Sequence, residues 1–364
     1  MPRTSRLPGV LTAVLLAATA VLKAQQPAVT PGGILPVLDT YLESLRQQAG
    51  IPGMSAAVMK DGAIIWEKGY GFANLATRER ATPDTPYLVG DVSQTLAAVL
   101  LLQCVEQRRL DLDDRFEKYG LTSPEPTATL RGMLGHAAPD GIREPFLYNP
   151  QRFAQLTPLM EWCAPQPYRK SVAHRLLERL AMRDSVPGTD LQNPDLELPE
   201  GMFDQDDLDR YRRVLTKLAV PYKVTGRNRT ERTELSAVSM TAADGLVTTV
   251  RDLARFDSAI DSVDTAPLLL PETLLTAWTP SAGRNGLPSP MGLGWFVQFY
   301  RGERVVWAFG SVPNAYSALL LKLPAKNTTF ILLANSDGLS APFQLPAGDV
   351  TKSLFASLFL KLTT

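Results

Sequence analysis

With 364 residues, 45% of them hydrophobic and 20% charged, the chain carries enough apolar material for a large core and falls outside the disordered class. Lys plus Arg and Asp plus Glu both total 37, leaving a formal charge of zero. That balance removes the attraction on which non-specific nucleic-acid or anionic-membrane binding depends, so neither is an expected partner. Two Cys and two His, without a cluster at ligand spacing, give no basis for a metal, and no cofactor is expected.

In chain order, Arg3 and Arg6 precede an apolar run from Val10 to Leu22, followed by Lys23-Ala-Gln-Gln26. The run is short for a membrane span and reads as a signal peptide over residues 1–24, with Ala20 and Ala24 as cleavage points. The chain is therefore expected to be exported, periplasmic or extracellular, and off the membrane after cleavage. Leu35, Leu38, Leu42 and Leu45 at helical spacing before Gly50 predict an amphipathic helix over 34–48. Met54–Met59 and Ala63–Lys68 flank Lys60-Asp-Gly62, where Asp-Gly is a strong hairpin signal.

From Leu96 to Val105 nearly every residue is apolar on all sides, which predicts a buried central helix. It opens on a polar knot, Gly90-Asp-Val-Ser-Gln-Thr95, in which Asp91-x-x-Gln94 has the form of a capping box. Cys104 on this helix and Cys163 beyond it read first as two buried free thiols. Leu208, Tyr211, Leu215 and Leu218 form one apolar stripe, with acids before it and bases after it, an order that suits a solvated helix and its dipole. Phe296–Tyr300, Arg304–Ala308, Tyr316–Leu323 and Thr328–Ala334, separated by turn residues, predict an antiparallel meander. A last helix is expected from Val350, capped by Asp349.

Gly50-Ile-Pro-Gly-Met54 to Val89-Gly90, Thr129-Leu-Arg-Gly-Met-Leu-Gly-His136 and Ala242-Ala-Asp-Gly245 to Phe256 resemble the serine beta-lactamase and penicillin-binding-protein family, nearest its class C lactamase, DD-peptidase and esterase branch. The likeness runs in order from about Gly33 to the end. It implies an α+β, beta-lactamase/transpeptidase-like fold: an antiparallel sheet flanked by helices on both faces, from residues 33–90 and 236–364, plus an inserted all-helical region over 91–235, together one domain. In that fold Cys104 and Cys163 could meet, which leaves their pairing open. The resemblance also implies that His136 holds a loop.

It further implies where a site would lie, and there the chain departs from the family. The S-x-x-K positions are Asp91 and Gln94; a carboxylate replaces the activated hydroxyl and a neutral amide replaces the base. The Y-x-N positions are Tyr148 and Pro150, with Asn149 one residue early. The third motif, H-x-G or K-T-G, falls on Phe309-Gly310-Ser311, a ring in place of the cation. No residue is assigned as catalytic. The expectation is an exported, catalytically inactive pseudo-hydrolase. Two alternatives stand beside it: an active esterase, peptidase or beta-lactamase with a rearranged site using Tyr148, Ser93 or Ser311, and a binding module holding a small molecule or peptide in a residual cleft. The oligomeric state is not legible.

Overall fold

The Asp61-Gly62 turn, with φ of 51° and 78°, folds Gly53–Lys60 (β1) back on Ala63–Asn74 (β2). Two positive-φ residues give a turn whose twist matches the strands it joins, and Asp and Gly adopt that conformation more readily than bulkier residues. Glu79–Arg80 (β3) extends the hairpin at one edge. The computed structural model describes residues 31–122, 125–226, 229–262, 267–281 and 288–364; the signal peptide expected at 1–24 lies outside them.

Five short strands follow: Tyr87–Leu88 (β4), Val186–Pro187 (β5), Tyr222–Thr225 (β6), Arg229–Arg232 (β7) and Leu246–Thr248 (β8), and because β5, β6 and β7 fall within 91–235 the expectation of an all-helical insert there is corrected. The chain then rejoins the main sheet through the expected meander, Phe296–Tyr300 (β9), Glu303–Val312 (β10), Tyr316–Leu323 (β11) and Thr328–Ala334 (β12). β12 pairs with β1, Met54 opposite Ala334, so the order is β3-β2-β1-β12-β11-β10-β9, with antiparallel neighbours. The order β4-β8-β5 makes a second, three-stranded sheet, and β6 and β7 form a hairpin.

Period-two alternation divides the main sheet between two cores. Met54, Ala56, Val58, Phe330 and Leu332 face the N-terminal helix Pro31–Gln48 and the C-terminal helix, contributing with Leu38, Leu42, Phe355 and Phe359 to one apolar cluster. Ala57, Met59, Ile331 and Leu333 belong to the opposite cluster, with the central helix and the helix Val250–Asp261. The C-terminal helix spans Leu354–Thr363, where Ser353 accepts from the Ala356 N–H. The expected start at Val350 is corrected: Asp349 caps a separate 3-10 turn, Val350–Lys352, and the extended Ser353 (φ −71°, ψ 122°) interrupts the helical path.

The central helix spans Ser93–Glu106 and is buried from Ser93 to Cys104. Cys104 and Cys163 form a disulfide, their Cα atoms 6.3 Å apart, tying this helix to Thr157–Cys163. This corrects the reading of two free thiols: both residues are core residues, as expected, but on facing helices. No helix among the described residues is long and apolar enough to cross a membrane.

Candidate functional site

Two glycines let the central helix begin against β10. Gly90 has φ 52°, and a Cβ on it would lie 3.0 Å from Ser311 N; a Cβ on Gly310 would lie 1.8 Å from Val89 O. Gly310 has no room for a side chain, and at Gly90 the positive φ and the tight contact both favour glycine. Gly90–Val92 forms a 3-10 turn that runs into the helix, and Val92 has helical dihedrals (φ −57°, ψ −25°) with no side-chain cap. The capping-box expectation is therefore corrected. Asp91 sits inside a continuous helical path, where its side chain has no reason to fold back on the backbone, and it bonds elsewhere.

What Asp91 and Gln94 bond to is a directional chain of hydrogen bonds. The Asn149 N–H donates to His136 Nδ1 at 3.0 Å, which leaves Nδ1 bare and puts the ring proton on Nε2. Nε2 then donates to Gln94 Oε1 at 2.9 Å, and Gln94 Nε2 donates to Tyr148 Oη at 3.2 Å. Asp91 takes side-chain hydrogen bonds from Tyr148 and Gln94. Every polar group in this chain has an assigned partner.

Burial sets the ionisation of the group. Asp91 is 9% exposed, and burial followed by the Asp244 charge pushes its carboxyl well above the usual range; the bonds from Tyr148 and Gln94 pull the other way. Burial, then the charge and hydrogen bond of Asp91, push the Tyr148 phenol well up. Burial, then the Arg152 charge, push His136 down to about 3, so the ring stays neutral. Asp244 is itself raised by burial, against the bond from the Gly245 N–H. Each of these shifts favours the uncharged form of its group.

Aromatic rings pack against the Tyr148 and His136 members of this network. His136 stacks on Tyr148 (centroids 4.5 Å) and on Phe153 (5.3 Å). Tyr148 lies 5.2 Å from Phe309 and 5.4 Å from Phe296, and Phe296 stacks on Trp307 at 4.2 Å. Trp307 and Phe309 are two apart on β10 and face the same side, so the strand delivers both to the cluster. Phe309 is 2% exposed. Pro150 opens the helix Pro150–Ala154, and Asn149 Oδ1 caps that helix by accepting from Arg152 N, so this amide is used in the fold. Ser93 is fully buried with Oγ accepting from Leu246 N, and Ser311 is half-buried on β10 beside Gly90.

The structure thus brings Asp91, Gln94 and Tyr148 into contact and puts Phe309 against Tyr148, while Pro150 and Gly310 serve helix initiation and backbone approach. His136 holds its loop, accepting from Leu147 N through its carbonyl, and also bonds Gln94. Sequence reasoning missed that second contact, as it missed Asp244, Phe153, Phe296 and Trp307. The alternate-residue spacing of Trp307 and Phe309 is the one available signal. Among the described residues, no group of three or more His, Cys, Asp or Glu is arranged to hold a metal ion.

The chain has relatives. The D-aminopeptidase of Brucella anthropi is 29% identical over 158 residues, 43% of this chain and 28% of its own length. Protein flp of Staphylococcus aureus is 29% identical over 82 residues, 22% of this chain and 16% of its own length. The match thus spans less than a third of either curated relative. Among solved structures, the octameric penicillin-binding protein homologue from Pyrococcus abyssi has a TM-score of 0.68 at 20% identity, over 90% of this chain and 77% of its own. The penicillin binding protein from Bacillus halodurans has a TM-score of 0.64 at 18% identity, over 82% and 95%. These structures share the fold. A family model described as Beta-lactamase matches residues 38–351, a span that takes in the glycine-held helix start, the aromatic loop and β10, and on that match the chain belongs to the Beta-lactamase family.

Proposed function

We propose that this protein is an exported pseudo-hydrolase of its family, which keeps the fold without the acyl-transfer chemistry. One observation carries the reading: Asp91 and Gln94 are locked with Tyr148 and His136 into a satisfied hydrogen-bond chain whose Tyr148 packs against the Phe309 ring. An acyl-transfer site needs a nucleophile with a base in reach and donors facing a developing oxyanion. Here a carboxyl group that resists ionisation stands at the helix start, and a neutral amide stands one turn on. Loss of nucleophile or base alone costs about a million-fold in turnover in a well-studied hydrolase. Ser93 supports no rearranged site, since its Oγ is buried on a backbone amide. Export is supported by the Cys104–Cys163 disulfide, a bond that persists in oxidising compartments.

The test uses the mature protein with a chromogenic cephalosporin, a short-chain nitrophenyl ester and a D-amino-acid nitroanilide, with intact mass after exposure to labelled penicillin. No turnover above the solution rate and no mass gain are expected. Turnover that disappears in Tyr148→Phe or Ser311→Ala, or a penicilloyl adduct on any residue, would overturn the proposal and name the nucleophile.

A further inference from the structure

The central helix ends about 20 Å from Asp91, taking 1.5 Å per residue over its length. At that far end lies a cleft of about 640 Å³ with no part in the chemistry discussed so far. Its wall is Trp162, 48% exposed, whose indole meets the Tyr119 ring edge-on at 4.7 Å. A half-exposed indole is a large apolar surface left in water. This one is also held in place: Trp162 precedes Cys163, which is joined to Cys104, and Arg109 Nη1 donates to the Cys163 carbonyl at 2.6 Å.

Charge is distributed unevenly around that ring. Lys118 is paired with Asp114 and Arg131 with Asp113. Among the described residues Arg108 and Arg109 have no carboxylate within ion-pair distance, and they line the cleft with Asp111. Arg108 has φ 57° and an exposed side chain. Asp111 Oδ1 accepts from Asp113 N, leaving the second oxygen of a carboxylate at the rim.

We propose that this cleft binds an acidic saccharide. A sugar ring lays its C–H face on an indole, its carboxylate or sulfate pairs with guanidinium groups, and its hydroxyls donate to a carboxylate. Trp162, Arg108 with Arg109, and Asp111 supply these three partners around one cavity, whose volume lies within the range of small-ligand sites. A planar aromatic acid would use the ring and the cations but leave Asp111 without a donor. The inference is independent of whether the site at Asp91 has any activity.

Calorimetry with digalacturonic acid, beside neutral cellobiose and inorganic sulfate, tests this on the full mature protein. Saturable binding of digalacturonic acid is expected, with cellobiose weaker by about tenfold or more and sulfate weaker still. Trp162→Ala should abolish it. Arg108→Gly should weaken digalacturonic acid by about tenfold while leaving cellobiose unchanged; glycine suits a positive φ, so this variant does not threaten the fold. No saturable binding at about ten millimolar, a dissociation constant of roughly −2 on the log scale, would overturn the proposal. So would sulfate binding as tightly as the sugar acid, or full binding by a folded Trp162→Ala variant.

Discussion

Burial and the Asp244 charge make ionisation of Asp91 costly, and the cost has a definite sign with pH. The folded-state pKa lies above the unfolded value of about 3.9, so the native state holds the extra proton, and stability falls as pH rises from there through the folded pKa. Asp91→Asn, which keeps the acceptor for Tyr148 without the charge, should therefore raise stability by about 1–3 kcal/mol at pH 8, with the gain shrinking towards pH 4. Urea unfolding at the two pH values measures it. His136 acts in the opposite sense. Its folded pKa is about 3 against an unfolded value of about 6.5, so the unfolded state takes up a proton first, and stability is lost as pH falls below about 6.5. By pH 4.5 the loss amounts to about 3 kcal/mol, and His136→Gln should flatten that limb of the curve. A basic-side loss in a folded Asp91→Asn variant as steep as in the natural protein would refute the first assignment, and an unchanged acid limb in His136→Gln the second. Positions 91, 94, 148 and 309 were singled out in the chain only by its resemblance to the family's motif spacing. Their contacts were not, since Gln94 meets His136 and Tyr148 across 42 and 54 residues of intervening chain.

Between elements, the disulfide and the paired glycines do the joining. Cys104 and Cys163 are 59 residues apart, and closing a loop of that length restricts the unfolded chain by about 4 kcal/mol. Cys104→Ser with Cys163→Ser should lower the urea midpoint accordingly and steepen the slope, since the unlinked denatured chain exposes more surface. Both cysteines are 2% exposed, so a reductant added to the folded protein should act only as fast as the protein unfolds. Gly310 is the stricter case. A methyl group there would sit 1.8 Å from the Val89 carbonyl oxygen, and Gly310→Ala should separate β10 from the helix start and leave little folded protein, as seen by proteolysis. Helices and strands were largely legible, because their apolar periods of 3.6 and 2 are local. The disulfide was not, because nothing in the spacing of two cysteines states that their helices face each other.

For the molecule as a whole, the sheet and the helical layer are pinned by a buried ion cluster. Lys322 on β11 donates to Asp257 at 2.8 Å, to Asp261 at 2.5 Å and to Thr329 on β12 at 3.2 Å. Both carboxylates belong to the helix Val250–Asp261, so one ammonium fixes that helix across two strands. Lys322→Met leaves Asp257 buried without its cation and should cost about 3–5 kcal/mol; adding Asp257→Leu should recover much of that. If the two variants unfold at the same urea concentration, the cluster does not act as a pair. The fold class was legible through the resemblance of the framework segments to a known family, whose order of hairpin, helices and meander the chain follows. This cluster was hidden, since Lys322 interrupts a run of leucines and its partners come from 61 and 65 residues earlier.

The orientation of a single amide limits what position 94 can hold. Gln94 turns its oxygen to His136 and its nitrogen to Tyr148, an asymmetry that a lysine ammonium, which has donors only, cannot reproduce. Gln94→Lys would point a donor at the imidazole N–H, and shifting that proton to Nδ1 would set it against the Asn149 N–H that now holds the loop. A lysine at position 94 would therefore need residues 146–149 to be remodelled with it, so the amide and the aromatic loop specify each other.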